Sequence, residues 1–274
     1  MSITAKDVNA LRKQTGAGMM DCKKALVASE GDMESAVDFL RKKGQKIAAK
    51  RGDRDAVEGL IIAKANQDCD KGVLICLNCE TDFVAKNDDF RSLAESIAKI
   101  ATEQSPTTLD SLLLSSFNND MTIADKITEQ SGVIGEKIEI KGYEIIDAAC
   151  VVAYNHPGNQ IASIVGLTQK AEDEGRQVAM QIAAMNPIAV DKDSVPQNVI
   201  DKEIEVGKEL AIQEGKPEEL AGKIAMGRLN KFFKETTLLN QAFVRDNKKT
   251  VKQFLNEVSP GLTVTDFKRI SLSI

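Results

Sequence analysis

The chain has 274 residues, of which 42% are hydrophobic and 28% are charged, and this is enough for a buried core and two or three compact units. Its formal net charge of -5 argues against the basic surface that binds nucleic-acid phosphates, so we expect no specific nucleic-acid partner. No apolar run approaches the about 20 residues of a membrane span and Met1 leads directly into a polar helix-start pattern, which predicts a cytoplasmic protein without a membrane segment.

Residues 1–54 predict a module of three short helices followed by a basic linker. Thr4 and Asp7 have the spacing of a capping box, a turn at Gly16–Gly18 follows the first helix, and Gly31-Asp32 opens the third. Residues 42–54 are rich in Gly, Lys and Arg, which predicts a solvated linker or a frayed helix end. Apolar residues recur at helical spacing and predict a small common core: Val8, Leu11, Met19, Ala25, Leu26, Ala36, Val37 and Leu40.

The next two segments predict a pseudo-duplicated α+β core. In residues 55–146, β-rich runs at 57–66 and 72–78 indicate a hairpin, and a helix follows from Asp88 until Ser105-Pro106. Residues 147–187 repeat this plan, with strands at 148–154 and 160–167 and a helix that ends near Asn186-Pro187. Two strand-strand-helix units indicate an α+β fold.

Residues 188–245 predict an antiparallel helical hairpin of coiled-coil type. Gly215-Lys216-Pro217 interrupts a charge-rich region whose apolar positions have heptad-like spacing, which favours two helices that project from the core as an arm. These positions are Ile200, Ile204, Leu210, Leu220, Ile224 and Leu229. The spacing does not decide whether this arm mediates homodimerisation or extends the contact with a partner. Residues 246–274 predict a small C-terminal module, with a helix through Val251–Val258 and an extended segment at Thr263–Phe267 that can pair with a sheet edge.

Motifs for nucleotide binding and catalysis are missing from the sequence. There is no phosphate-binding Gly-rich loop, so we expect no direct nucleotide binding. The single histidine, His156, has no activating carboxylate or nucleophile beside it in sequence and lies in a predicted turn, which favours partner contact over catalysis. We therefore expect no catalytic residue and a protein that is not an enzyme.

Five cysteines do not suggest an evenly paired disulfide framework, which favours reduced thiols. Cys76 and Cys79 have the spacing of a zinc or redox motif, with Cys69 as a third candidate. Residues three apart on a strand point to opposite faces, however, and no second cysteine pair follows. We expect no metal ligand and no cofactor.

The segment Thr81-Asp82-Phe83-Val84 leaves a hydrophobic strand and precedes a polar helix entry. Phe83 is therefore expected in a loop. Spacing leaves two interpretations open: Phe83 folds back onto the core, or it is an exposed anchor for a partner on a rigid scaffold.

Two sequence strings closely resemble signature stretches of the elongation factor Ts family. They are TGAGMMDCKKAL at residues 15–26 and NCETDFVAKN at residues 78–87. The likeness continues in VIGEKIEI at residues 133–140, in the Tyr-x-His turn of Tyr154 and His156, in QIAA before Asn186-Pro187 and in LNQAFV at residues 239–244. It covers essentially the whole chain, with one departure at residues 160–162, where many members carry Arg-Ile-Gly and this chain has Gln-Ile-Ala.

The resemblance implies a ubiquitin-associated-like N-terminal module, a two-part α+β core, a coiled-coil arm and a small C-terminal module. It also implies a guanine nucleotide exchange factor that binds elongation factor Tu and promotes GDP release. In such a factor Asp82 and Phe83, within the segment Thr81 to Val84, would enter a pocket near the partner's magnesium and phosphate site. Further partner contacts implied by the matching positions are Arg12, Met19, Met20, Gly135, Glu136 and His156.

Two other functions remain as alternatives to exchange. One is a helical scaffold or adaptor that uses the N-terminal module without exchange activity. The other is a thiol or zinc enzyme built on Cys76 and Cys79.

Overall fold

Three helices begin the part of the chain that the computed structural model describes, which is residues 3–272. They are α1 (Ala5–Thr15), α2 (Met19–Ala28) and α3 (Met33–Lys50). The predicted capping box of Thr4 and Asp7 starts α1, Gly16 ends it in the left-handed conformation at φ 71°, and the Asp32 side chain caps α3. Leu11 and Leu26 lie in the buried core of this unit as predicted, whereas Met19 is 52% exposed and its placement in the common core was wrong.

The helix α3 extends through most of the segment that was predicted to be a linker or a frayed end. It continues to Lys50 because it packs along a later helix, α7 (Ile123–Ile134). The two backbones meet at glycines: a Cβ atom on Gly132 would lie 2.2 Å from the Cα of Gly44. Only glycine at this crossing permits such an approach.

A three-stranded antiparallel sheet in the order β1-β2-β5 forms the first half of the core. Its strands are β1 (Glu58–Ala65), β2 (Lys71–Cys79) and β5 (Glu139–Asp147). The segment between β2 and β5 contains α4 (Asp82–Ala85), α5 (Asp88–Gln104), α6 (Leu109–Leu114), β3 (Ser116–Asn118), β4 (Met121–Thr122) and α7. The predicted hairpin and the helix from Asp88 are confirmed, and Phe90, Leu93 and Ile97 pack onto the sheet.

A second three-stranded antiparallel sheet has the order β10-β7-β6. It consists of β6 (Cys150–Asn155), β7 (Ile161–Leu167) and β10 (Val264–Ser271), and α8 (Glu172–Met185) packs on it. The second strand-strand-helix unit is thus confirmed, as is the pairing of the C-terminal extended segment with a sheet edge. Because β10 completes this sheet, its residues Val264 and Phe267 share a core with α8.

The two sheets pack face to face, with α5 outside the first and α8 outside the second. The interface between them buries Ile61 and Leu74 from one sheet and Val151 and Ile164 from the other. A Cβ atom on Gly72 would lie 2.4 Å from Val151, so this glycine allows the close approach. The result is an α+β fold in four layers.

Residues 197–236 form an antiparallel helical hairpin of α9 (Gln197–Gln213) and α10 (Glu218–Thr236). The prediction of the residues that line the seam between these helices is only partly correct. Leu229 is buried, but Leu210 and Leu220 are 39% and 46% exposed. The buried seam otherwise consists of small residues, namely Gly207, Ala211, Ala221 and Ala225. The heptad-like spacing predicts large apolar side chains in this seam, but closely spaced helices need small ones.

Two short strands and a helix lie between the hairpin and the last strand of the second sheet. They are the short strands β8 (Ala242–Phe243) and β9 (Asp246–Thr250) and the helix α11 (Val251–Val258). The rings of Phe243 and Phe254 stack at a centroid distance of 4.2 Å. Within residues 3–272, no helix is both long and apolar enough to cross a membrane.

Candidate partner-binding site

The segment that was predicted to be a loop after β2 is a single helical turn, α4. Thr81 is its N-cap, with a hydroxyl oxygen that accepts a hydrogen bond from the amide of Val84 at 3.4 Å. Val84 and Ala85 pack against the core of the first sheet, whereas Phe83 is 83% exposed. The helical turn thus points these neighbours in different directions, and the interpretation of Phe83 as a core residue is wrong.

The neighbouring carboxylate, Asp82, is half-exposed and paired within its own turn. Its Oδ2 accepts a hydrogen bond of 2.7 Å from the Nζ of Lys86, four residues later. This hydrogen bond, with the charge of Lys86, lowers the pKa of Asp82 below its ordinary value. The turn therefore presents an ionised carboxylate beside an exposed aromatic ring.

Glu136, a predicted partner contact, forms hydrogen bonds to the N-terminal end of this turn. Its Oε2 accepts hydrogen bonds from the amides of Glu80 and Thr81, both at 3.1 Å, and its Oε1 accepts one of 2.6 Å from the Thr81 hydroxyl. The adjacent Gly135 ends α7 in the left-handed conformation, at φ 81°. This turn of the backbone places Glu136 next to the end of β2.

Glu80 is a second acidic residue at this point, and the sequence analysis did not single it out. Its carboxylate accepts hydrogen bonds from the Arg51 guanidinium at 2.7 and 2.8 Å and from the Lys137 amide at 2.7 Å. Burial opposes ionisation, but these donors outweigh it and hold the pKa of Glu80 below its ordinary value. The position lies in the string NCETDFVAKN, but Arg51 is 29 residues away and no local pattern links the two.

Arg12, Met19 and Met20 belong to the N-terminal helices and are exposed, the two methionines by 52% and 64%. Arg12 lies in the last turn of α1, and the methionines form the first turn of α2. A cleft between the end of α1 and the start of α5 is lined by Gly16 and Asn87 among others. Arg12, Met19 and Met20 therefore lie on the N-terminal helices and not on the α4 turn that carries Phe83. The end of α1 nevertheless lies near the start of α5.

His156 lies in the turn between β6 and β7, as predicted, and is exposed. Its Nδ1 is 3.0 Å from the hydroxyl of Tyr154. The same turn is attached to the first half of the core, because Arg91 on α5 donates a hydrogen bond of 2.8 Å to Asn159. The turn that carries His156 is thus anchored to the first half of the core, separately from the α4 turn.

The cysteine pair of β2 divides between two cores. Cys79 lies in the core beneath α5, and Cys76 lies between the sheets, as expected for residues on opposite faces of a strand. Burial raises the pKa of Cys76 to about 11 and that of Cys79 to about 12. In the part of the chain that the structure describes, no group of three or more His, Cys, Asp or Glu side chains could hold a metal ion.

An exposed aromatic residue on a supported turn, beside a charged side chain, is typical of a surface that binds another macromolecule. Comparison with known proteins gives the particular family. The family model described as Elongation factor TS matches residues 80–273. The chain is 51% identical over 273 residues to the elongation factor Ts of Christiangramia forsetii, with 98% of each chain covered.

Two further relatives show the same similarity over their full length. The elongation factor Ts of Amoebophilus asiaticus is 52% identical over 274 residues, covering 98% of this chain and 99% of its own. That of Porphyromonas gingivalis is 46% identical over 274 residues, covering 100% and 99%. The chain belongs to the elongation factor Ts family and is an elongation factor of protein biosynthesis.

Proposed function

We propose that this protein is the guanine nucleotide exchange factor of elongation factor Tu, and that it promotes GDP release by inserting Asp82 and Phe83 near the partner's magnesium and phosphate site. The observation that carries the proposal is the exposure of Phe83 on a turn whose neighbouring residues are anchored in the core. Membership of the elongation factor Ts family supports the choice of partner. The protein changes no covalent bond in this role and would act in the cytoplasm.

Exchange follows from thermodynamic linkage between two ligands of one partner. A protein that binds the nucleotide-free partner more tightly than the nucleotide-bound partner must weaken nucleotide binding by the same ratio. Each tenfold weakening requires about 1.4 kcal/mol of differential binding. Burial of a Phe side chain is worth about 1.5 to 3 kcal/mol, so insertion of Phe83 can supply about one to two such tenfold steps.

Asp82 would contribute by its charge. In the free factor it is bonded to Lys86, and a pair this exposed is worth little, so it can be exchanged for contacts in the partner. A carboxylate near a magnesium site competes for the groups that otherwise face the metal, and a partly desolvated pocket strengthens this effect. Phe83 thus separates packed elements while Asp82 alters the electrostatics beside them.

Other surfaces would provide affinity. We propose that the three N-terminal helices are a ubiquitin-associated-like module whose Arg12, Met19 and Met20 hold the nucleotide domain of the partner. His156 would contact a second region. The hairpin of α9 and α10 would serve as a coiled-coil arm.

The proposal is tested by stopped-flow release of a fluorescent GDP analogue from elongation factor Tu, with and without this protein. We expect release to accelerate in proportion to the factor concentration and then to saturate. A rate that stays at the spontaneous value while gel filtration shows a complex would refute exchange and favour a scaffold role.

A further inference from the structure

The α4 turn is too short to keep its shape without outside support. It has four residues, and an isolated helical turn of this length is unstable in water because nucleation fixes several residues for one hydrogen bond. The side chains of Val84 and Ala85 hold it from one side by packing on the core. The direction in which Phe83 points therefore depends on what fixes the N-terminal end of the turn.

The carboxylate of Glu136 fixes that end through three donors. Two are the consecutive amides of Glu80 and Thr81, and the third is the Thr81 hydroxyl at 2.6 Å. A carboxylate has about four acceptor positions, so three of them are used inside the molecule. Hydrogen bonds to an ionised acceptor are also stronger than those between neutral groups.

The Thr81 hydroxyl transmits this arrangement to the turn itself. It has one proton, which it donates to Glu136, and its oxygen accepts from the amide of Val84. Without the carboxylate, the hydroxyl proton has no fixed direction and the N-cap loses its orientation. The route from Glu136 to Phe83 therefore passes through one side chain and one turn of backbone.

The same junction is attached to the end of α3. The Lys137 amide donates to the Glu80 carboxylate while the Glu80 amide donates to Glu136, so the two segments hold each other reciprocally. Arg51 adds its guanidinium to Glu80, and the Nζ of Lys137 donates to the carbonyl of Gly52 at 3.1 Å. The α4 turn is thereby fixed relative to both the first sheet and the N-terminal helices.

We infer that Glu136 is a positioning residue that holds the α4 turn so that Phe83 is presented to the partner in one orientation, rather than a residue that contacts the partner itself. This inference rests on the proposed function of Phe83. A side chain that is already oriented before binding loses less conformational freedom on insertion, and small misplacements of a reacting or inserting group are costly.

A double-mutant cycle separates positioning from direct contact. The variants are Glu136→Gln, Phe83→Ala and the double substitution, compared by kcat/KM for release of fluorescent GDP from elongation factor Tu. Glutamine keeps the shape, and its carbonyl oxygen can still accept from the two backbone amides, but it removes the charge and puts an NH2 donor where the Thr81 hydroxyl donates to Glu136, so that hydrogen bond is reversed or lost. If Glu136 acts through Phe83, Glu136→Gln slows exchange between about 5- and 50-fold in the wild type and less than about 2-fold in the Phe83→Ala background.

The control for the lost charge is Glu139→Gln on β5. Glu139 lies three residues further along and pairs with Lys137 at 3.2 Å and Lys141 at 3.6 Å. We expect this variant to exchange within about 2-fold of the wild type. An equal loss from Glu136→Gln in both backgrounds would show direct partner contact and overturn the inference, as would the absence of a loss in the wild type.

A second measurement uses the free factor and does not depend on exchange. The sequence contains no tryptophan, so Phe83→Trp introduces a single tryptophan, on the turn itself, whose fluorescence is followed. We expect Glu136→Gln to lower its residual anisotropy on the nanosecond timescale, whereas Glu139→Gln leaves it unchanged. Unchanged anisotropy with Glu136→Gln overturns the positioning role, while normal exchange by Phe83→Ala alone would instead refute the proposed function.

Discussion

Replacing Phe83 with alanine removes a side chain that is 83% exposed in the free factor. Because so little of it packs on the core, we expect the free energy of unfolding to change by less than about 0.5 kcal/mol. In the complex the same side chain would be buried, at a gain of about 1.5 to 3 kcal/mol. At about 1.36 kcal/mol per factor of ten, its loss lowers kcat/KM for GDP release by about 10- to 150-fold.

The assay is stopped-flow release of fluorescent GDP over a range of factor concentrations. A contact made mainly after the nucleotide site opens lowers the saturating rate more than the affinity for the GDP-bound partner. The matched control is Leu114→Ala, since Leu114 is 74% exposed at the end of α6 and outside the α4 turn. A normal saturating rate for Phe83→Ala, with complex formation confirmed, or an equal loss in the control refutes the insertion mechanism.

Three further predictions concern the support of the site. Gly132→Ala should lower the free energy of unfolding by about 1 to 3 kcal/mol in chemical denaturation, because the new methyl would lie 2.2 Å from Gly44. Glu80→Gln should lower the melting temperature most above about pH 5. The difference from wild type should shrink as the pH falls, because the folded protein holds the pKa of Glu80 below its ordinary 4.5 and the stabilisation by the carboxylate is lost when it is protonated. Cys76 and Cys79 should react slowly in a thiol titration of the native protein, because burial raises their pKa values to about 11 and 12.

Each of these predictions has a control and a contrary result. Gly227→Ala on α10 adds a methyl group that would have no neighbour within 4 Å, so a loss of stability equal to that of Gly132→Ala would remove the argument from close approach. Glu139→Gln controls for a lost acidic side chain; a pH-independent difference between Glu80→Gln and wild type would contradict the linkage. Rapid modification of both Cys76 and Cys79 before unfolding would revive the thiol-enzyme alternative.

The sequence by itself determined the local elements of this protein. Capping residues such as Thr4 and Asp32, and the glycine that ends α1, act within a few residues and predict helix ends from local chemistry. Alternation and turn residues likewise predicted both β-hairpins, and the signature around Phe83 identified the segment that the proposed function uses. The capping, alternation and turn signals are local because each depends on hydrogen bonds or side-chain directions between near neighbours, whereas the signature around Phe83 works through family resemblance.

The tertiary structure alone decided which distant residues meet. Spacing could not show that Phe83 is exposed, that small residues such as Gly207 line the hairpin seam, or that α3 continues because Gly44 meets Gly132. Nor could it show that Glu136 faces Thr81, 55 residues away, instead of solvent. Such contacts form only when whole helices and strands pack together. They are stabilised by burial and packing in the assembled core, which no short segment of sequence contains.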